Sequence, residues 1–305
     1  MIPSPTFTRL ALGATLAFAL AACDLQKLGN QATARTVAVS TLLTTPTVEV
    51  KGAAIAGNGF DAGGLLQLDA GIALDAGVFF SDAGITIPAQ NLAFVFFGQR
   101  QGDNLDSPPV GAEGATATLE QAGGPRFTLS DEGSGAYSLP SDAGFTYTPG
   151  ATYRFEFGLM NQTYVAEVED VPAQEQIPEF EPAAGYVELE AGQSFVFHRP
   201  DPPPGRLRNF GFVNVIPVSS DGSQGAVTYT NIPTSALGFL KLVVAPGDWQ
   251  KTRVEIPGTA FPERDRNYII VLQSAKLGGP KTDNLFAGSA ILAGTADVLI
   301  VKTKP

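Results

Sequence analysis

The chain has 305 residues, with 19 basic and 30 acidic side chains, a net charge of −11 and only 16% charged residues. A chain this acidic is a poor partner for nucleic acid, whose binding draws its affinity from phosphate neutralisation. A single histidine and a single cysteine argue against a zinc site and exclude an internal disulfide. The 34 glycines and 23 prolines point to turns and strands rather than long helices, because Gly costs backbone entropy in a helix and Pro removes a donor.

Residues 1–9 carry one side-chain cation, Arg9, and Leu10 to Leu20 is an apolar run of eleven residues. That length suits a signal peptide and falls short of the roughly 20 residues of a spanning helix. It ends in Leu20-Ala21-Ala22-Cys23. These residues resemble the lipobox of bacterial lipoproteins, a branched residue and two small residues before a cysteine. The resemblance implies recognition of Leu20, Ala21 and Ala22 by a signal peptidase, cleavage before Cys23 and acylation of Cys23. It also implies residence in the cell envelope, at the inner or outer membrane, with the membrane as a partner through the Cys23 lipid. Two or more acyl chains give stable anchoring. Asp24 resembles an inner-membrane retention signal of enteric bacteria.

Residues 23–45 read as a lipid-anchored tether that holds the body clear of the headgroups and runs into a first strand. Asp-Ala-Gly recurs at Asp61, Asp69, Asp75, Asp82 and Asp142. Asp starts turns through its side chain and Gly supplies positive φ, so residues 60–87 read as short β pieces or a mobile loop. Calcium is the functional alternative for these carboxylates. Their spacing matches neither an EF-hand nor a strict nonapeptide repeat, and no metal site is expected. Leu92 to Phe97 (LAFVFF) reads as a strand covered on both faces. Thr152 to Leu159 alternates apolar and polar residues, the mark of a half-buried strand. A hairpin through Met160-Asn161-Gln162-Thr163 follows, leading into Tyr164 to Val168.

Residues 127–139 (FTLSDEGSGAYSL), 147–157 (YTPGATYRFEF) and 164–168 (YVAEV) are similar to a pattern of immunoglobulin-like and carboxypeptidase-regulatory-like sandwich modules. The pattern is Gly-x-Tyr-x-Leu followed by Pro-Gly-x-x-Tyr. The resemblance spans roughly 40 residues and implies a non-catalytic β-sandwich. Val171 to Pro182, with prolines at 172, 178 and 182, reads as an extended linker. The expected fold is therefore all-β. Two immunoglobulin-like sandwiches in tandem, residues 46–170 and 183–305, follow a signal peptide (1–22), a tether (23–45) and a linker (171–182). The charge divides unevenly: residues 23–182 hold 6 basic and 20 acidic side chains, and residues 183–305 hold 12 and 10.

In the second half, Tyr186 to Ala191 alternates, and Tyr268 to Leu272 is a continuous apolar run, the pattern of a strand covered on both faces. The apolar stretch Leu285 to Ala296 is too short to span a bilayer and is stopped by Asp297. With Phe195 and Phe197 facing a core, His198 faces outward at a strand end. Arg199, Arg206 and Arg208 join His198 as either ordinary loop charges or a contact for an anion or acidic glycan. Trp249 either caps a core or stacks on a sugar ring. No Gly-x-Ser-x-Gly elbow or His-Glu-x-x-His is present, and Gly57-Asn58-Gly59 lacks the third glycine of a dinucleotide loop. No catalytic residue and no cofactor are expected. The sequence reads as a non-enzymatic envelope lipoprotein that binds or scaffolds, its partner an envelope protein or a glycan. The alternatives are a carbohydrate-binding or glycan-processing protein and a structural spacer.

Overall fold

The computed structural model describes residues 26–51, 79–140 and 143–305, apart from 28, 82–83, 88, 103–106, 219–224, 234–237, 239–240 and 243. Leu20, Ala21, Ala22 and Cys23 lie outside these residues, as do the aspartates of all five Asp-Ala-Gly copies. The protein is all-β, 47% strand and 9% helix. None of the helices among the described residues is long and apolar enough to cross a membrane.

The N-terminal strands are β1 (Thr36–Thr45), β2 (Val48–Lys51), β3 (Phe79–Ser81), β4 (Gly84–Ile87), β5 (Gln90–Gln99), β6 (Val110–Gly111) and β7 (Thr116–Gln121). They continue with β8 (Arg126–Thr128), β9 (Ser130–Gly133), β10 (Ala136–Ser138), β11 (Tyr153–Leu159) and β12 (Gln162–Val168). Then come β13 (Val187–Leu189), β14 (Phe195–His198), β15 (Phe210–Val218), β16 (Tyr229–Thr230) and β17 (Arg253–Ile256). The chain closes with β18 (Asn267–Pro280) and β19 (Ala290–Thr303). Fourteen strands form one sheet whose main path runs β8-β7-β11-β12-β18-β19-β1-β5-β10-β9.

β18 and β19 organise the molecule. Each has 14 residues, a span of about 45 Å, and each changes neighbour part-way along. β18 pairs with β15 through Asn267–Ala275 and with β12 at Gly279 and Pro280. β19 pairs in parallel with β1 over Ala290–Thr295 and with β13 over Val301–Thr303. Their mutual ladder runs from Asn267↔Lys302 to Gly278↔Ile291.

Two principal cores result. The first packs Phe97, Phe155 and Phe157 with Leu285, Ile291 and Ala293 from the far end of the sequence. The second packs Phe195, Phe197, Val213, Ile256 and Phe261 with Ile270 and Val301. The division expected at residues 171–182 therefore does not separate the cores. The first is completed by β19 and by Leu285 just ahead of it. Val171, Ile177 and Phe180 of the expected linker are themselves buried.

The expected tether is shorter than its sequence suggests. Thr36–Thr45 is a strand paired on both sides, with β5 and β19. Residues 26–27 and 29–33 are helical. LAFVFF, expected to be covered on both faces, alternates instead: Ala93, Val95 and Phe97 are buried, while Phe94 and Phe96 are half-buried. β11 is half-buried with period two, as its sequence predicts. It turns into β12 through Met160 and Asn161 alone, both at positive φ (48° and 62°). That is the two-residue geometry matching strand twist.

One device occurs in both halves. The Tyr153 hydroxyl accepts a bond from the Thr148 amide at 2.7 Å, and the Tyr268 hydroxyl accepts one from the Glu263 amide at 3.0 Å. In each case a buried tyrosine near the start of a strand reaches back five residues to pin the incoming corner.

Candidate functional site

A notch opens where β19 changes neighbour. The β1 pairing ends at Thr44↔Thr295, and the β13 pairing begins at Val187↔Val301. Residues 296–300 keep β18 on one side and, among the described residues, have no strand on the other. Pro46 helps end β1, since proline has no N–H to continue a ladder. The segment after β12 crosses this gap. Its short 3-10 helix, Pro178–Phe180, packs on β14 and β19. What remains is a cleft of about 510 Å³ whose lining includes Pro46, Gln174, Phe180, Glu181, Asp297 and Ile300.

Asp297 lies in this lining with only 7% of its surface exposed. Its Oδ1 accepts a bond from Gln174 Nε2 at 2.6 Å. Its Oδ2 is buried with no hydrogen-bond partner among the described residues. Burial pushes the carboxyl up to about 6. The Gln174 bond opposes this shift, and the charges of Glu175 and Glu181 add to it. At neutral pH the group is mostly ionised, yet no lysine, arginine or histidine is among the described residues that line the cleft. A buried carboxylate with a free oxygen costs several kcal/mol of desolvation unless a donor or cation meets it. Such an arrangement marks a place to receive a donor rather than one that stabilises the fold.

The wall behind the cleft is rigid. Glu175, next to Gln174, receives two parallel bonds from Arg199: Nε to Oε2 at 2.8 Å and Nη2 to Oε1 at 2.7 Å. The Ser274 hydroxyl donates to the same carboxylate at 2.6 Å. Arg199 also donates to the carbonyls of Asn209 and Trp249. The planar guanidinium suits this forked arrangement. Gly211 makes room for it, since a Cβ there would stand 2.5 Å from Arg199 Nη1. The expected linker is thus stapled to β18 and the second core through a buried ion pair.

The residues expected to form a cationic contact are dispersed, each against an acid. Arg199 is no loop charge: it is 2% exposed and spent on Glu175. Arg206 pairs with Asp170, and Arg208 with Asp201. His198 does face outward beside the buried Phe195 and Phe197. Its Nδ1 sits 2.9 Å from Glu179 Oε1. Burial pushes the Glu179 carboxyl up, but bonds from the His198 ring and backbone outweigh this and hold it below its ordinary range. Trp249 packs against a small cluster around Phe210, Phe212 and Leu292, and its indole donates to the Asn231 carbonyl at 2.8 Å. Its ring caps a core. Among the described residues no group of three or more His, Cys, Asp or Glu side chains is placed to hold a metal ion.

Sequence reasoning missed Gln174, Glu175 and Asp297. The available signal was Asp297 itself, an acid interrupting an apolar run that resumes at Val298-Leu299-Ile300. No family model matches the chain, and no relative is found among curated proteins.

Proposed function

We propose that the protein is an envelope lipoprotein, anchored through acylated Cys23, that works without catalysis by binding a partner protein in the notch beside β19. The observation that carries this reading is the notch itself. A strand edge that no described strand covers over residues 296–300 meets a buried Asp297 carboxylate whose Oδ2 has no partner among the described residues. An extended segment of a partner fits such a site, its backbone bonding to the open edge and a donor meeting Asp297. The acidic lining favours a segment bearing a cation.

We read each principal core as an immunoglobulin-like sandwich unit. Matching tyrosines at Tyr153 and Tyr268 support this, because a hydroxyl reaching back to an upstream backbone group is a device of that architecture. The units share β19, which contributes to both cores, instead of standing in tandem. A body fused in this way suits a scaffold, since a partner held at one core is held at a constant distance from the other.

Cross-linking in intact envelopes, followed by identification of the captured chains, tests the reading. Wild-type protein is expected to capture a defined partner, and Asp297→Asn to lose it. Cys23→Ser is expected to leave an uncleaved precursor or to release the protein from membranes. Capture of no protein, together with retention of polysaccharide that survives Asp297→Asn, would overturn the protein-binding reading in favour of a glycan ligand.

A further inference from the structure

The geometry points to one end of the first core as a membrane-contacting surface, with the exposed Met160 and Val110 seated in the headgroup region of the bilayer that holds the Cys23 lipid. This inference rests on the anchoring reading above and adds to it an orientation and a contact.

Little free chain separates the lipid site from the body. Gln31 is already docked: its side-chain amide donates to the carbonyls of Pro280 and Thr282, at 3.4 and 3.1 Å. Its own carbonyl accepts from the Ala287 amide at 2.9 Å. The Phe286 amide donates to Thr36 at 2.7 Å, and Arg100 stacks over the Phe286 ring at 4.2 Å. Residue 31 is thus fixed to the β18–β19 connection. Eight residues from Cys23 to Gln31 reach at most about 28 Å when fully extended. The helical residues among them shorten that further. The headgroup layer is itself roughly 5–8 Å deep, so the end of the body at which the chain enters lies against the bilayer.

That end carries two of the four large apolar side chains that are most exposed among the described residues, Met160 at 88% and Val110 at 51%. Register places them there. Gln99 pairs with Thr36 on one side and Val110 on the other. Gln162, next to the Met160-Asn161 turn, lines a shallow groove together with Asn30, Thr33 and Arg35. Leu207 is as exposed as Met160 but lies elsewhere. Its neighbour Arg206 bonds Asp170, beyond the opposite end of β12, roughly 20 Å along that strand.

The test uses the full precursor, processed and acylated in cells, purified and reconstituted into phosphatidylethanolamine–phosphatidylglycerol vesicles. Acylation consumes the only native cysteine, so single replacements Met160→Cys, Val110→Cys and Leu207→Cys take an environment-sensitive fluorophore. Labels at 160 and 110 are expected to shift to the blue on reconstitution and to be quenched by a headgroup-level quencher. The label at 207 is expected to do neither. Val110→Cys keeps the test decisive should the strained turn at residue 160 not tolerate labelling. Protein that floats with the vesicles while all three labels stay in water would overturn the orientation and leave anchoring intact. Acylation or flotation failing altogether would overturn both.

Discussion

Asp297 makes the stability of this fold depend on pH. Its carboxyl is raised from the usual value of 3.8 to about 6 in the native state. Below the lower value both states are protonated and the group contributes nothing. Between about pH 4 and 6 the unfolded chain ionises first, so stability falls as pH rises, and the loss is complete above about pH 6. Converted at about 1.4 kcal/mol per pH unit, the penalty at neutral pH is on the order of 3 kcal/mol. Asp297→Asn keeps the oxygen that bonds Gln174 and removes the charge. It is expected to raise the urea midpoint at pH 7.5 and to flatten the stability profile between pH 4 and 6, both measurable by urea titration. A variant with the same downward slope as wild type would show that Asp297 is not the titrating group. Arg199 behaves in the opposite sense. Arg199→Met leaves Glu175 buried against Ser274 alone and is expected to lose roughly 3–5 kcal/mol in denaturant unfolding. Arg199→Met with Glu175→Leu is expected to recover most of that loss, because removing both charges removes the burial cost with them.

At the scale of elements, the two long strands depend on glycine where other chains approach. Gly294 faces β18 at the last turns of the β1 pairing, and a Cβ there would stand 1.9 Å from the Ser274 carbonyl oxygen. The obstacle is backbone, so it cannot swing aside. Gly294→Ala is expected to cost roughly 3 kcal/mol or more by overpacking, and circular dichroism on heating should show an earlier melt. How far such elements could be read from the sequence varied with burial. β11 was legible because Arg154 and Glu156 face water while Tyr153, Phe155 and Phe157 face the core. β1 was not, because Thr36, Ser40 and Thr45 are polar residues buried within a paired strand, and a run rich in Thr and Ser reads as a tether. β5 misled in the other direction, since Phe94 and Phe96 sit on its less buried side. β18 was seen only as Tyr268 to Leu272. Its continuation is held by ladders rather than by its own apolarity: Gln273 and Ser274 have neighbours on both sides, and Lys276 pairs with β19. The candidate site was less legible still. Glu175 sits in a Pro- and Glu-rich stretch whose composition describes a solvated linker, and only the arrival of Arg199 from 24 residues away buries it.

At the scale of the whole molecule, β19 enters both cores. The first core lacks Ile291 and Ala293 without it, and the second lacks Leu299 and Val301, along with Tyr268 and Ile270 of the β18 strand it pairs with. Unfolding is therefore expected to be a single transition by calorimetry, with the calorimetric and van't Hoff enthalpies in agreement. Two resolved transitions would show that the cores are independent. A fragment ending at residue 182 keeps β1 to β12 but leaves β1 without β19 and β12 without β18. It is expected to be unfolded by near-ultraviolet circular dichroism and amide exchange, although a cut at that position looks natural from composition.

The threading of β19 also governs when the protein can take shape. It lies at the heart of both halves and pairs with β1 across about 250 residues of sequence, Val39 beside Ala290. Closing so large a loop costs entropy before any contact offsets it. Neither core is finished until that closure is made, so folding waits on one late meeting of distant strands.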